Sequence, residues 1–298
     1  MSELNAIAKK LAVKDNLLHL PGVSTLNDRY ALKKKIGEGG LCEVWSAVDK
    51  RADYFGDRRN VAVKIPSKDM KAKRDIAAFL YAEYRFLVRV SHPNAVRALN
   101  YDIDRKSKIP FIVMELLSGR QMLNAAAELS TKEKIAVSAR LSQVVCHIHS
   151  LGIVHADINP SNIIVRDGND AKLLDFGVAV DLRESRPFHL NRKDIKAFNP
   201  LYAAPEVIDG ETPTIKSDIF SLAATLFECF GSGTIRKESP EVPLKTPVSF
   251  SRLKAIPVVL RLWFYRALNA DPRKRPFKPP AVFKKVSWHE LLRTIGML

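Results

Sequence analysis

The sequence has few cysteines and no long apolar run, and both scarcities narrow the possible classes of protein. Its three cysteines, Cys42, Cys146 and Cys229, lie far apart and lack CxxC spacing. This spacing supports neither a disulfide framework nor a zinc site, and it fits a reducing compartment. No apolar stretch approaches the roughly 20 residues that a membrane-spanning helix needs. The N-terminus lacks the apolar core of a secretory signal, so we expect a cytoplasmic protein without a membrane partner.

Acidic residues are fewer than basic ones, and the formal net charge is +16. The excess is spread along the chain, with 22 Lys and Arg against 14 Asp and Glu through Leu117 and 26 against 18 beyond it. The densest basic runs, at 33–35 and 68–74, are not interleaved with aromatic residues as a nucleic-acid stacking platform would be. The charge therefore favours general attraction to polyanions, and we predict no dedicated nucleic-acid site.

Apolar patterns divide the chain into a strand-rich first part and a helix-rich second part, which meet near 116–119. Alternating or β-branched runs predict strands at 29–36, 36–48, 61–65, 95–102 and 111–115. Helical spacing is found at 75–90, 130–148, 217–229, 258–269 and 288–297. We therefore predict an α+β fold with an N-terminal extension over 1–28, a first domain over 29–117 and a second domain over 118–298.

Two local signals refine this division. The polar stretch 50–60 predicts a turn between two strands. Ser130, with Glu133 three residues later, forms a capping box, which predicts the start of a long amphipathic helix.

A 25-residue stretch of the second part combines three polar side chains with a hairpin signal. It begins at Ile153 and reads IVHADINPSNIIVRDGNDAKLLDFG. Two apolar runs flank the turn signal Gly168-Asn169, which predicts paired strands that bring Asp157, Asn162 and Asp175 to one edge. These residues offer a candidate base, an amide metal ligand and a carboxylate metal ligand. Phosphoryl transfer needs this set, because its catalysis is mostly positioning and neutralisation of phosphate charge.

A glycine-rich turn in the first part could close over phosphate groups. Gly37 and Gly39 open the stretch GEGGLCEV between two predicted strands, and glycines let backbone N–H groups point at phosphates. Lys64 ends the apolar run Val-Ala-Val-Lys, where an inward-facing ammonium needs a counter-charge. Glu83, nineteen residues later in a predicted helix, would supply it and would hold Lys64 for the α- and β-phosphates.

In this order, these features resemble the protein kinase family, including small eukaryotic-like members from bacteria and phages. The stretch from His155 to Gly177 resembles the catalytic loop and the magnesium-binding DFG motif. Ala204-Pro205-Glu206 resembles the APE motif, and Asp218 resembles the residue that braces the catalytic loop. Arg275 resembles the arginine that pairs with that motif's glutamate. The resemblance covers nearly everything from Arg29 onward and implies a bilobal fold with a small β-rich N-lobe and a larger helical C-lobe.

The resemblance also implies ATP and Mg2+ as cofactors and a role for each site residue. Asp157 would orient and deprotonate a substrate hydroxyl, with Lys64 on the phosphates, and Asn162 and Asp175 would hold Mg2+. Further nucleotide-binding positions are the loop glycines Gly37 and Gly39, the adenine-facing Val44, Ala62 and Ile164, the gatekeeper Met114, and the hinge residues Glu115 and Leu117. The implied partners are protein substrates, which include the chain itself through autophosphorylation.

One departure from the family concerns regulation. Ala156 precedes Asp157 where most kinases have arginine, which makes the motif non-RD. That arginine usually pairs with a phosphate on the segment between Asp175 and Glu206. Because the arginine that would bind such a phosphate is missing, we predict that phosphorylation of this segment, at Ser185 or Tyr202, is not the main on-switch.

A second departure concerns the catalytic loop itself. Asn159 stands where Ser/Thr kinases have a lysine that contacts the transferred phosphate, and Asn199 stands where they have a threonine. Two partners have changed together, which indicates a reorganised site. An amide can donate a hydrogen bond but carries no charge. We therefore expect slower transfer, or substitution by a nearby basic residue, for which the candidates are Arg183, Arg186 and Lys193.

Three functions are compatible with these residues. An active protein kinase, Ser/Thr rather than Tyr, is favoured because every ATP and metal position is retained. Ala156 and Asn159 instead suggest a pseudokinase, which would be a binding or scaffold module that retains nucleotide binding. A small-molecule kinase of the aminoglycoside or choline type has a similar loop without arginine and lysine. Those enzymes lack the APE element, the start of the central helix and the closing arginine, all of which this chain has.

Overall fold

The computed structural model describes residues 25–39, 41–57, 60–68, 70, 75–183, 198–235, 249–280 and 283. The chain forms two compact units, one running to Tyr84 and including Ala98–Leu117, and one comprising Arg85–Arg97 and the chain from Ser118. The helical pattern predicted at 288–297 lies outside the described residues.

The first unit is a six-stranded antiparallel sheet with two helices. The sheet order is β1-β2-β3-β4-β6-β5. Its strands are β1 (Thr25–Leu26), β2 (Tyr30–Glu38), β3 (Cys42–Asp49), β4 (Asn60–Pro66), β5 (Ala98–Ile103) and β6 (Pro110–Glu115). The helices are α1 (Lys50–Tyr54) and α2 (Ile76–Val90), of which α2 continues into the second unit.

Strand alternation gives this sheet two different faces. One face forms an apolar core around Trp45, Val63 and Phe111, each at most 1% exposed. Ala62 and Lys64 point to the other face, because side chains along a strand alternate with a period of two. Ala62 and Lys64 are both buried on this second face, and Lys64 is the only charged residue of β4.

The second unit consists mainly of helices. These are α3 (Met122–Ala126), α4 (Thr131–Ser150), α5 (Pro205–Ile208), α6 (Ile215–Cys229) and α7 (Val258–Ala267). The side chains of α6 are nearly all buried, so this helix runs through the core of the unit. The capping box predicted at Ser130 and Glu133 is confirmed at the start of α4. No helix among the described residues is long and apolar enough to cross a membrane.

Short strands complete the second unit and confirm the predicted hairpin. They are β7 (Arg120–Gln121), β8 (Ile153–Val154), β9 (Ile163–Arg166), β10 (Asp170–Leu173) and β11 (Val180–Asp181). β9 and β10 pair antiparallel, with Leu173 opposite Ile163, and β8 pairs with β11. Gly168 and Asn169 both have positive φ in the connection, which is the conformation that their residue types favour.

Residues 85–97, which we assigned by sequence to the first domain, cluster with the second unit. The reason lies in Asn94, whose amide nitrogen donates to the Asp170 carboxylate at 2.8 Å and to the Ala171 carbonyl at 2.9 Å. Its own carbonyl accepts from the Leu173 N–H at 2.8 Å. These bonds attach the end of α2 and its following loop to β10.

Two further expectations from the sequence differ from the structure. The stretch 50–60, predicted as a polar turn, contains α1, because Asp49 caps a helix too short to show a 3.6-residue period. Thr25–Leu26, placed by sequence in the N-terminal extension, forms the edge strand β1 and pairs with β2.

We expect Gly119→Ala to lower the free energy of unfolding by about 2 kcal/mol or more. Gly119 has φ +140°, and a Cβ there would lie 2.4 Å from the Val165 carbonyl oxygen. Gly210→Ala is the matched control, because Gly210 has φ +95° but open space around it. Urea unfolding of both variants would separate the steric clash from the backbone strain. Equal losses in the two variants would contradict the clash.

Candidate functional site

A buried ion pair organises the second face of the first unit's sheet. Lys64, in β4, places its ammonium 2.7 Å from the Glu83 carboxylate on α2. Lys64 is 6% exposed and Glu83 is 1% exposed. Because a lone charge at such depth is costly, each side chain requires the other. The ion pair predicted from the sequence is therefore present.

Strand register brings the predicted nucleotide-binding residues of this unit onto the same face. Val44 lies opposite Lys64 on one side and opposite Gly37 on the other, so these three residues form one row across the sheet. Ala62 lies opposite Met114 in the next row. Directly paired residues in a sheet share a face, so the set forms a continuous apolar surface with one ammonium beside it.

Three further predicted residues belong to the same unit. The Gly39 N–H donates to the Cys42 carbonyl at 2.8 Å and closes the turn between β2 and β3. Glu115 ends β6, and Leu117 follows at the last position of the unit, both half-buried. Gly40 lies outside the described residues.

In the second unit, the Asp157 carboxylate is held from two sides. The Asn162 amide nitrogen donates to Asp157 Oδ2 at 2.8 Å and to the Asp157 carbonyl at 3.0 Å. The backbone N–H of Asn199 donates to the other oxygen, Oδ1, at 2.9 Å. Both oxygens therefore have a fixed direction, although the residue is only half-buried.

Withdrawal from water makes this carboxylate unusually basic. Burial raises the pKa of Asp157 to about 7, although the hydrogen bond from Asn199 opposes the rise, and the negative charge of Asp175 adds to it. A carboxylate with such a pKa is a better proton acceptor than an ordinary aspartate. The environment is thus that of a base rather than that of a surface charge.

The Asn159 side chain is used inside its own loop. Its Oδ1 accepts from the Ser161 N–H at 3.0 Å and from the Ser161 hydroxyl, and its amide nitrogen donates to the Asp157 carbonyl at 3.2 Å. Asn159 is 2% exposed and caps the short 3₁₀ helix Pro160–Asn162. The sequence allowed an amide that reaches a phosphate, whereas this amide positions the residues around Asp157.

A second carboxylate holds the start of the same loop. Asp218, on α6 and fully buried, accepts from the backbone N–H of His155 at 2.8 Å and of Ala156 at 2.9 Å. The His149 Nε2 also contacts it at 2.9 Å. The brace expected of Asp218 is present. His149 was missed, because nothing in its helical position distinguishes it from a packing residue.

Asp175 lies next to Asn162 because of the hairpin. The Leu174 N–H donates to the Asn162 carbonyl at 2.8 Å, and Asp175 is the following residue. Its φ is +54°, a conformation that costs energy in a non-glycine residue and is common at functional sites. Phe176 is fully buried with its ring edge-on to His155 at 4.7 Å, which anchors the backbone beside the exposed Asp175 carboxylate.

Asn162 and Asp175 fit a magnesium ion by the chemistry of their donor atoms. Asn162 spends its amide nitrogen on Asp157, which leaves the amide oxygen as its ligand atom. Magnesium prefers oxygen and is usually bound by one or two protein groups plus phosphate oxygens and water. One amide oxygen and one carboxylate satisfy that preference.

The start of α5 and the segment before it are held by two polar contacts within the second unit. Glu206 and Arg275 form a buried bidentate pair at 2.6 and 2.8 Å, as the sequence predicted. Tyr202 is 6% exposed and its hydroxyl donates to Glu228, so one of the two candidate phosphorylation positions is buried. Ser185 lies outside the described residues.

Comparison with known proteins identifies the family. The family model described as "Protein kinase domain" matches residues 30–247, which is most of the chain. The chain belongs to the protein kinase family.

Similar curated proteins include serine/threonine-protein kinases of bacteria. A probable serine/threonine-protein kinase PknB of Lactococcus lactis is 32% identical over 205 residues, covering 67% of this chain and 31% of that protein. The DNA damage-responsive serine/threonine-protein kinase RqkA of Deinococcus radiodurans is 32% identical over 211 residues, with 70% and 30% covered. PrkC, a serine/threonine-protein kinase of Bacillus subtilis, is 31% identical over 206 residues, with 68% and 30% covered. The chain thus spans 30–31% of the length of these relatives.

The structure brings the predicted kinase residues together as two sets. Lys64, Glu83 and the apolar row belong to the first unit, and Asp157, Asn159, Asn162 and Asp175 belong to the second. Ile164 lies in β9 opposite Lys172 and Gln121, half-buried. The sequence missed the Asn199 clamp because the contact uses its backbone, whose direction no residue type encodes.

We expect Asn159→Ala to lower the free energy of unfolding by about 1 kcal/mol, because the helix cap is lost. Asn159→Ser should recover most of that loss, since serine also caps helices. Urea unfolding without nucleotide is the measurement, and Ser161→Ala is the control that removes the hydroxyl contact alone. Unchanged stability of Asn159→Ala would contradict the capping role and favour an outward-facing amide.

Proposed function

We propose that this chain is an ATP-dependent protein kinase that transfers the γ-phosphate of ATP to protein hydroxyl groups, serine or threonine in preference to tyrosine. The observation that carries the proposal is the Asp157 carboxylate, held by Asn162 on one oxygen and by the Asn199 backbone on the other. A carboxylate oriented in this way can accept the proton of a substrate hydroxyl along a defined direction. The curated relatives, each named as a serine/threonine-protein kinase, support the choice of acceptor.

The phosphates of ATP would be held by Lys64. Glu83 keeps the ammonium on the same sheet face as Val44 and Ala62, against which adenine would pack, with Glu115 and Leu117 supplying backbone hydrogen bonds. A cation that is held by a counter-ion at this place neutralises phosphate charge without moving during the reaction. The overall arrangement that we propose is bilobal, with a small β-rich N-lobe and a larger helical C-lobe.

Magnesium would be held by the Asn162 amide oxygen and the Asp175 carboxylate, and it would supply positive charge to phosphate oxygens. Asn162 then has two tasks, since its amide nitrogen also orients Asp157. This shared residue would place the metal and the base at a set separation. Loss of the Asn162 amide would therefore affect both.

We propose that transfer is slower than in kinases with a lysine at the position of Asn159. The Asn159 amide is directed at the Asp157 carbonyl, so it adds neither charge nor a donor toward the phosphate. Of the basic residues considered as substitutes, Arg183 donates to the Ser150 carbonyl at 3.1 Å. Arg186 and Lys193 lie outside the described residues.

The alternatives are less well supported. A small-molecule kinase has no use for the buried Glu206–Arg275 pair, which resembles the element that anchors the substrate-binding segment of protein kinases. A binding-only module has no need for the strained Asp175 backbone and the oriented Asp157 carboxylate. We further propose that the protein substrates include the chain itself. The three free cysteines support a cytoplasmic location. We propose no dedicated nucleic-acid or membrane partner.

The test is transfer of labelled γ-phosphate from magnesium-ATP to the chain and to a generic protein mixture. We expect label on serine and threonine with the wild type, and a loss of about 100-fold or more with Asp157→Ala, as is typical when a catalytic base is removed. Asp167→Asn, at an exposed turn of the hairpin, is the control and should retain full transfer.

Other outcomes would redirect the assignment. Tight ATP binding without transfer to any acceptor would indicate a binding module. Label on a small hydroxyl compound, with none on protein, would indicate a small-molecule kinase.

A further inference from the structure

The residues that follow the Asp175 motif are attached to the rest of the second unit by an ion pair that the sequence did not reveal. Arg89, near the end of α2, donates from Nη1 to the Asp181 carboxylate in β11. Its Nη2 also lies 3.4 Å from the Leu151 carbonyl. Asp181 is 4% exposed, so its charge depends on this arginine.

Backbone and side-chain bonds extend this attachment over four residues. Val180 and Asp181 pair with Val154 and Ile153 of β8, and the Leu182 N–H donates to the Gly152 carbonyl at 2.8 Å. The Asp181 carboxylate also accepts from the Arg183 N–H at 2.9 Å.

Gly152 is needed for the last part of this attachment. Its φ is +75°, and a Cβ there would lie 2.7 Å from the Arg183 Nε. The Arg183 side chain thus packs closely over the glycine and donates to the Ser150 carbonyl at the end of α4. The attachment therefore consists of several backbone and side-chain contacts and is not a single surface contact.

Its location links it to the catalytic residues on both sides. β8 ends at Val154, three residues before Asp157, and β11 begins five residues after Asp175. Pairing of β8 with β11 therefore sets the positions in space of the proposed base, Asp157, and of the proposed metal ligand, Asp175. Arg89 fixes the β11 side of that pair, because it neutralises the one buried carboxylate in it.

We propose that the Arg89–Asp181 ion pair is a built-in positioning element that holds the residues after Asp175 in their working arrangement without phosphorylation. Two observations support independence from a phosphate. Ala156 cannot pair with a phosphate, and the Tyr202 hydroxyl is buried against Glu228. The Asp181 carboxylate gives Arg89 a permanent negative partner. A phosphate group plays the same role when it orders a segment by pairing with an arginine. The proposal rests on the protein kinase function proposed above.

The test compares full-length variants after phosphatase treatment, with complete dephosphorylation verified by mass spectrometry. We expect the dephosphorylated wild type to keep at least half of its kcat. Arg89→Ala should lose tenfold or more in kcat, with a less than threefold change in the KM for ATP. The exchanged pair Arg89→Asp with Asp181→Arg should recover part of the loss. Arg120→Ala is the matched control, because it breaks an exposed pair with Glu128 in the same unit and should stay within twofold.

A second measurement separates positioning from loss of fold. Hydrogen exchange should show peptides that contain 180–183 protected in the dephosphorylated wild type and exposed in Arg89→Ala, while peptides of α6 stay protected in both. Exchange that rises throughout the unit, or an unchanged kcat in Arg89→Ala, would overturn the proposal.

The outcome for the wild type distinguishes this inference from the proposed function. Transfer that requires phosphorylation would leave the kinase function intact and overturn the inference. Absence of transfer in both the phosphorylated and the dephosphorylated protein would overturn both.

Discussion

The Asp218 carboxylate, buried in the central helix α6, is the interaction on which the catalytic loop depends. It accepts the backbone N–H groups of His155 and Ala156, which have no helix or sheet partner of their own. Ala156 has φ +67°, a conformation that a non-glycine residue keeps only where its surroundings require it. A fully desolvated acceptor meets that requirement, because unbonded N–H groups at this depth would cost about 1–3 kcal/mol each. These bonds to Asp218 fix the backbone just before Asp157 and therefore the direction in which the Asp157 side chain projects.

Downstream of this brace, two asparagine side chains order the backbone around Asp157. Asn159 and Asn199 each use the side-chain oxygen to accept a backbone N–H two residues later, at 3.0 and 3.1 Å. These turns orient an amide nitrogen and a backbone N–H toward Asp157. These hydrogen bonds to Asp157 are neutral, and burial together with the negative charge of Asp175 raises the pKa of its carboxyl group.

Sequence patterns predicted contacts that are local or that satisfy a buried charge. The hairpin, the capping box of α4 and the Lys64–Glu83 pair all follow from alternation, spacing or the need for a counter-ion. The Arg89–Asp181 pair could not be predicted, because 92 residues separate its members and each resembles an ordinary surface charge in sequence. The clustering of 85–97 with the second unit could not be predicted either, since the bonds of Asn94 to β10 join residues that are far apart in sequence.

Net charge is a poor guide to this site, and the pairing of individual charges is a good one. The chain carries +16, yet Lys64, Arg89 and Arg275 each spend their charge on a buried or nearly buried carboxylate. Such pairs gain little stability over apolar packing, but breaking one leaves an uncompensated charge. They are therefore effective at excluding alternative arrangements of the segments that they join. Those segments carry Lys64, the residues after Asp175 and the start of α5, so buried ion pairs are concentrated where the proposed catalysis requires a fixed geometry.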